Sequence, residues 1–553
     1  LENQTTFRSL HKIEILSIRA FFLFNWCGPQ QSTAFFYNLA KCFNLKINML
    51  KKIQTALISV FYKDRLDEIV EKLHAQNVKI YSTGGTYQFI EALKIPVEAV
   101  ETLTGYPSIL GGRVKTLHPK VFGGILGRSG NTTDQQEMTQ YAIPSFDLVI
   151  VDLYPFESTL RQTTDENTII EKIDIGGISL IRAAAKNYQD VCIVPSSDYY
   201  DALIELLEKD NGTTTLSDRK RFAGYAFGVS SAYDAAIYNW FAQGETAQLR
   251  IAANHPQPLR YGENPHQKGV FYGSLDELFE QLHGKDLSYN NLLDLEAGLS
   301  LMNEFQSTTF AILKHNNTCG IASRDTLSEA YQSALAGDPV SAFGGVLVSN
   351  KAVDEATATL INSLFFEVMI APAFEEKAFE LLCSRKNRII LRHRATHFPS
   401  SQYRSILNGI LMQERDLITE EASAMHLVTE RKLTDAELDD LVFANKVVKH
   451  TRSNAIVLVK NKQLVGSGIG QTSRVDALKQ AIAKAHELGF DLKGAVMASD
   501  AFFPFADSVE LASQAGIMAV VQPGGSVRDN DTINFCNQAG MGMAFTGNRH
   551  FKH

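Results

Sequence analysis

Val78-Lys79-Ile80-Tyr81-Ser82-Thr83-Gly84-Gly85-Thr86, running directly into Tyr87–Lys94, joins a short apolar run to a helical pattern through a pair of glycines. A strand that feeds a helix in this way is half of a βα unit. Upstream, Ala56-Leu57-Ile58-Ser59-Val60 is another buried-strand run, and Leu66, Ile69, Val70 and Leu73 recur on one helical face. Downstream, Leu148–Leu153 and Val191–Val194 read as further strands between helical segments. The alternation predicts an α/β fold with a doubly wound parallel sheet over residues 49–245. At a strand-to-helix turn the free N–H groups and the helix dipole favour phosphate, so Thr83, Gly84, Gly85 and Thr86 are candidate ligand contacts.

The stretch Gly111-Gly112-Arg113-Val114-Lys115-Thr116-Leu117-His118-Pro119-Lys120 reverses the sign of a chain whose formal net charge is −8. Such a cluster suits an anionic small molecule. Glycines admit a ligand to the backbone, Arg grips phosphate oxygens bidentately, and Lys serves as a point charge or a proton carrier. The mild overall acidity argues against bulk nucleic-acid or membrane-surface binding. Six scattered cysteines with no Cys-x-x-Cys favour a reducing, cytoplasmic setting and give no structural zinc pattern.

Residues 1–48 differ in character: Asp is absent and aromatics crowd into Phe21-Phe22-Leu23-Phe24 and Phe35-Phe36-Tyr37. They are expected to form an appended leader, whose apolar run is too short to span a membrane. Residues 246–258, which include Pro256, read as a linker, and 259–553 as a second mixed α/β region. Within that region Leu327–Ala336 leads to Gly345–Asn350 much as Asp476–Leu488 leads to Gly494–Asp500. Each is a helix followed by an apolar strand with a Ser-Asn or Ser-Asp end, which suggests an internal duplication.

Asp152-Leu153-Tyr154-Pro155-Phe156 falls at a strand's carboxyl end, where open α/β sheets place ligands. Lys172-Ile173-Asp174-Ile175-Gly176-Gly177 then opens the helical stretch Ile178–Lys186. Together, GGRVKTLHP, DLYPF, IDIGG and RAAAKN resemble the IMP cyclohydrolase domain of the AICAR transformylase/IMP cyclohydrolase family of purine biosynthesis. The resemblance continues through Leu259-Arg260-Tyr261-Gly262-Glu263-Asn264-Pro265-His266-Gln267, Lys314-His315-Asn316, Ser499–Phe505 and Arg549–His553, covering about Met49 to His553. It implies a methylglyoxal-synthase-like first domain and two cytidine-deaminase-like subdomains in the second region. The deaminase zinc signature is absent, so no metal is expected in catalysis.

The implied chemistry is formyl transfer from 10-formyltetrahydrofolate to AICAR, then closure of formyl-AICAR to IMP with loss of water. AICAR's amine is conjugated and a poor nucleophile, so it needs a base; His315 suits that task, because a free imidazole exchanges its proton near neutrality. Lys314 would stabilise the formyl oxyanion or help protonate the leaving folate nitrogen. Neighbours on a strand point to opposite faces, so the pair needs an irregular turn to converge. By resemblance Asn454 would hold the base and the nucleotide, while Phe502 and Asp507 line the folate side. Arg260 with Tyr261, and Arg549 with Phe551, would fix the nucleotide. Phe343-Gly344 and Gly524-Gly525 would make backbone contacts.

For ring closure the matched candidates are Lys115, Tyr154, Asp174 and Lys186. Lys63, Arg113, Thr116, Asp152, Gly176 and Gly177 are the further substrate contacts. Some positions depart from the commoner family pattern. Phe61-Tyr62 replace a Ser-Asp pair, Thr83 replaces Ser, Asp152 replaces Asn and Thr318 replaces a frequent Pro. A carboxylate at 152 would repel a phosphate unless it faced the base or ribose. A homodimer is expected, because the family builds its transformylase sites across subunits. Two other classes compete, a nucleotide-binding regulatory protein without turnover and a methylglyoxal-synthase-like lyase.

Overall fold

The computed structural model describes residues 50–244, 248–394 and 398–553. The expected leader, 1–48, lies outside the described residues, as do residues 246–247 of the expected linker. The chain forms two compact units, divided between Ala253 and Asn254.

In the first unit β1 (Thr55–Ser59), β2 (Lys79–Ser82), β3 (Val97–Ala99), β4 (Leu148–Val151) and β5 (Cys192–Val194) form a parallel sheet in the order β3-β2-β1-β4-β5. Its strands are apolar on both faces because both are covered. Ala56, Ile58 and Ile150 pack with Leu66, Ile69 and Leu73 of α1 (Leu66–Ala75) on one side. On the other, Leu57, Val149 and Val151 pack with α3 (Pro119–Leu126), α4 (Gly176–Lys186) and α5 (Leu216–Ala242). The helix after β2, α2 (Gly84–Ala92), starts earlier than Tyr87, so the two glycines lie in its first turn. The chain winds outward from β1 to β3 and then returns to add β4 on the other side of β1. That reversal opens a crevice at the carboxyl ends of β1 and β4.

The second unit contains two sheets of one design. The first has the order β6 (Phe279–His283), β11 (Ile389–His393), β10 (Phe366–Ala371), β9 (Gly345–Ser349), β7 (Thr309–Lys314), β8 (Asn317–Ser323). The second has the order β12 (His426–Leu427), β17 (Gly542–Phe545), β16 (Ala519–Gln522), β15 (Val496–Ser499), β13 (Ile456–Val459), β14 (Leu464–Gly468). Every pair in one sheet has the same sense as its counterpart in the other: two parallel pairs in the middle, antiparallel pairs outside. The duplication suspected from two helix–strand echoes therefore extends over whole sheets. One core joins the two repeats, with α6 (Tyr289–Met302) and α8 (Asp435–Lys449) contributing Leu295, Leu299, Leu441 and Val447. On the outer faces lie α7 (Leu327–Ala336) and α9 (Arg474–Glu487).

Glycine sets how closely these outer helices approach. A Cβ on Gly320 of β8 would lie 1.9 Å from the Ala334 carbonyl oxygen of α7, and one on Gly468 of β14 would lie 1.8 Å from that of Ala477 on α9. Gly468→Ala must therefore displace a helix, and urea denaturation of the variant is expected to show a loss of about 1–3 kcal/mol.

Candidate active sites

The crevice of the first unit collects residues from three strand ends. Lys115 stands over the start of α2: a Cβ on Gly84, whose φ is +54°, would lie 3.4 Å from its Nζ. The Thr83 hydroxyl donates to Glu101 at 2.9 Å instead of capping α2, and that of Thr86 donates to the Val60 carbonyl at 2.8 Å. Of the candidate contacts in this segment, the first-turn N–H groups of Gly84, Gly85 and Thr86 are therefore the parts open to an anion. Thr116, buried, faces Gly176, where a Cβ would lie 3.3 Å from its hydroxyl. Asp174 accepts from the Gly177 N–H at 2.6 Å, and its own N–H donates to the Tyr233 hydroxyl at 2.8 Å. Burial holds the Asp174 carboxyl above the ordinary carboxylate range despite Lys115 nearby. Burial likewise raises the phenol of Tyr154, reinforced by the charges of Asp174 and Asp152. Lys63 is pushed down by burial and by Lys115, against the pull of Asp152.

Other members of the basic stretch turn elsewhere. Arg113 is exposed and pairs with Glu171. His118 accepts from the Lys120 N–H at 3.2 Å as the cap of α3, and Lys120 Nζ donates to the Leu103 carbonyl at 3.2 Å. Lys186 is exposed in the last turn of α4, about 15 Å along the axis from Gly176. The helix α4 that carries it runs unbroken from Gly176 to Lys186. Asp152 turns to the loop that follows β1. Its carboxylate accepts the N–H groups of Phe61 and Tyr62.

In the second unit Lys314 and His315 sit at the tip of the β7–β8 hairpin. Lys314 pairs with Asn317, and the two residues between, His315 and Asn316, have φ of +52° and +64°. This is a two-residue turn of the primed kind, whose left-handed residues follow the strand twist. It supplies the irregular turn the sequence required. Asn316 N–H donates to Asp294 Oδ1 of α6 at 2.6 Å, and Asn317 Nδ2 donates to the His315 carbonyl at 2.9 Å. Lys314 Nζ donates to the Phe343 carbonyl beside Gly344. Lys314 and His315 both line a cavity of about 460 Å³ that also takes Asp338 from the first repeat and Gln480 and Lys484 from the second.

Asn454 precedes β13 in the second repeat. Both ends of its amide are anchored: Oδ1 accepts from Arg474 at 2.9 Å, which leaves one of its two acceptor sites, and Nδ2 donates to the carbonyls of Gln471 and Thr472 at 2.9 and 3.2 Å. Arg474 also donates to Asp500 at 2.8 Å and to the Phe502 carbonyl at 3.2 Å. Arg474 and Asp500 escaped the sequence analysis. The one signal, a lone Arg starting a helix, is indistinguishable from surface charge until the buried Asp500 is placed against it. Asn317 Oδ1 accepts the Arg452 N–H at 3.3 Å, linking the His315 hairpin to the Asn454 segment. Asp507 begins a short helix, Gly525 N–H donates to Asp529 at 2.7 Å, and a Cβ on Gly524 would strike the Phe545 ring. Arg260 lies over the Tyr261 ring at 5.1 Å, exposed. Among the described residues no contact brings either to Lys314 or His315. Thr318 is buried and lines the cavity.

A family model described as the AICARFT/IMPCHase bienzyme matches residues 184–484, and one described as an MGS-like domain matches 65–179. A protein of Bacteroides thetaiotaomicron, "Bifunctional purine biosynthesis protein PurH", is 58% identical over 503 residues, covering 91% of this chain and 99% of its own. Proteins of the same name from Enterococcus faecalis and Aquifex aeolicus are 46% and 45% identical, over 90% of this chain and 99% and 100% of theirs. The chain belongs to the AICARFT/IMPCHase bienzyme family. It is a bifunctional enzyme of purine biosynthesis, an AICAR formyltransferase and an IMP cyclohydrolase, and the formyltransferase takes its formyl group from a folate. No helix among the described residues is long and apolar enough to cross a membrane, and no group of three or more His, Cys, Asp and Glu among them could hold a metal.

The bienzyme's carboxyl end is clamped at His550, between Arg549 and Phe551, which themselves stack at 4.3 Å. His550 Nδ1 lies 2.6 Å from Asp416 and Nε2 3.0 Å from Glu420. Against burial, which favours the neutral ring, the two carboxylates hold its pKa up at about 9, from an ordinary 6.5. A raised pKa in the folded state stabilises fully below the unfolded value and is lost as pH rises through about 9. Thermal unfolding followed between about pH 7 and pH 10 should show a decline in the wild-type protein that His550→Gln lacks.

Proposed function

We propose that the two reactions are divided between the two units, with Lys314 and His315 serving formyl transfer and Lys115, Tyr154 and Asp174 serving ring closure. The observation that carries this division is the pairing of Lys314 and His315 on one cavity of the second unit, while Lys115 stands over the α2 start in the first. In the transfer step the AICAR 5-amino group attacks the formyl carbon of 10-formyltetrahydrofolate. His315 takes the amine proton, Lys314 stabilises the oxyanion, and the carbon–nitrogen bond to folate breaks as that nitrogen regains a proton. Asn454, its amide fixed by Arg474, presents a carbonyl oxygen of constant direction to the nucleotide. Phe502 and Asp507 contribute on the folate side, Arg260, Tyr261, Arg549 and Phe551 on the nucleotide side, and Phe343-Gly344 and Gly524-Gly525 through backbone contacts. No metal is assigned to either step.

In the closure step the carboxamide nitrogen attacks a formyl carbon already in the same molecule, so orientation is largely built in. The Gly84 and Gly85 N–H groups receive the nucleotide phosphate, Lys115 stabilises the developing oxyanion, and Asp174 orients the amide. Tyr154 donates a hydrogen bond as water leaves. Lys63, Thr116, Gly176 and Gly177 frame this crevice. His315→Ala should lower formyl transfer on the order of 10²–10⁴-fold while supplied formyl-AICAR still cyclises; Lys115→Ala should do the reverse. Equal loss of both activities in either folded variant would overturn the division.

The bienzyme is further proposed to be a cytoplasmic homodimer. Unpaired thiols at Cys192, Cys319, Cys383 and Cys536 suit a reducing compartment. The hairpin Ser401–Ile406 and Gly409–Glu414 turns Tyr403, Leu407, Ile410 and Leu411 to solvent, Leu407 entirely. An isolated two-stranded hairpin with apolar faces is marginal in water and asks for a partner surface. Sedimentation should find a dimer for the wild-type protein and a monomer for the double variant Leu407→Asp, Leu411→Asp.

A further inference from the structure

The loop from Val60 to Lys63 leaves β1 at the crevice and carries two aromatic residues, Phe61 and Tyr62, that face solvent in part. Its backbone is pinned from across the crevice. One Asp152 oxygen accepts the Phe61 N–H, and the other accepts the Tyr62 N–H at 3.0 Å. From the other side Lys63 Nζ donates to the carbonyls of Val60 and Phe61, the second at 3.0 Å. The Val60 N–H is held by the Thr86 hydroxyl at 3.1 Å. With its backbone fixed, the Phe61 ring meets the Tyr154 ring edge to face, centroids 5.5 Å apart at 76°. Lys172 Nζ stands 5.7 Å from the Phe61 centroid and 6.0 Å from that of Tyr154, within cation–π range of both. The backbone of Lys172 is itself held, its carbonyl accepting from the Tyr233 hydroxyl at 2.6 Å, the same hydroxyl that receives the Asp174 N–H.

We propose that Asp152, Phe61 and Lys172 form a latch that positions the Tyr154 phenol for ring closure, Asp152 acting through the loop and not as a substrate ligand. The proposal rests on the assignment of cyclisation to this crevice. A carboxylate can accept two parallel backbone N–H groups, one on each oxygen. An amide cannot, because its NH₂ would face one of the loop's donors. Each Asp152 oxygen is engaged by this contact, one by the Phe61 N–H and the other by the Tyr62 N–H. The phosphate is left to the α2 start and Lys115. The ring of Phe61 and the ammonium of Lys172 then limit Tyr154 to one approach, since an exposed phenol at the mouth of a crevice otherwise samples several rotamers.

Cyclisation of supplied formyl-AICAR by the full chain tests the latch, with formyl transfer by the same protein as the control. Asp152→Asn and Phe61→Ala are each expected to lower kcat on the order of 10- to 100-fold, as misplacement of a reacting group does, with KM changed less than about twofold. Phe61→Tyr, which keeps the ring, is expected to restore kcat. The double variant Asp152→Asn, Phe61→Ala should be no slower than the slower single variant, because both act through Tyr154. A rise in KM at unchanged kcat for Asp152→Asn would make it a substrate ligand and overturn the latch, as would multiplicative losses in the double variant. Phe61 is 43% exposed, so the Phe61→Ala and Phe61→Tyr pair carries the test even where Asp152→Asn unfolds the unit. A wild-type protein that fails to cyclise formyl-AICAR overturns the cyclohydrolase assignment; wild-type turnover with unimpaired variants overturns the latch alone.

Discussion

A hydrogen bond from the Asn316 backbone to Asp294 underlies the placement of His315. Two consecutive residues with side chains do not adopt left-handed backbone without a compensating contact, and here a half-buried carboxylate on α6 supplies it at 2.6 Å. The second repeat uses the same device. Lys460 and Gln463 exchange backbone hydrogen bonds, the two residues between them, Asn461 and Lys462, have φ of +53° and +52°, and both donate N–H groups to Asp440 of α8. Burial raises both aspartates above the ordinary carboxylate range. The duplicated unit thus presents two equivalent hairpins, held by equivalent carboxylates, and only the first carries the histidine.

The same economy holds in the first unit. Asp174 binds the N–H of Gly177, and Asp152 those of Phe61 and Tyr62. Carboxylates in this chain serve turns before they serve substrates. This reconciles a net charge of −8 with an anionic nucleotide: the acids nearest the crevice are occupied by backbone donors, and the positive ends that remain, the α2 start and Lys115, face inward.

How much of this was legible depends on the range of the interaction. The sheet of the first unit could be read from Ala56–Val60, Val78–Tyr81 and Leu148–Leu153 because strands buried on both faces leave unbroken apolar runs. The duplication could be suspected from two helix–strand echoes. Lys115 and Gly84 could be associated by charge and by glycine alone. What escaped were contacts between distant, individually ordinary polar residues, such as Arg474 with Asp500 and Asn454, or Asp294 with Asn316. The basic stretch is legible only in part for the converse reason. Charge density is visible in sequence, but whether Arg113 turns to Glu171 or to a ligand is decided by a residue 58 positions away.

The departures at 61, 62 and 152 are best understood together. Where the commoner family pattern has Ser-Asp before Lys63 and Asn after β4, this chain has Phe-Tyr and Asp. Against that pattern an acid is missing at 62 and present at 152. At 152 it reaches back across the point where the sheet reverses direction and binds the two backbone N–H groups of the altered loop. A ring at 61 without an acceptor at 152 would leave those donors to water and the ring free to swing. An acid at 152 without the loop's donors would be a partly buried, unpaired charge beside a phosphate site. Each change is tolerable because of the other, so the loop and Asp152 behave as one unit rather than as separate losses of substrate contacts.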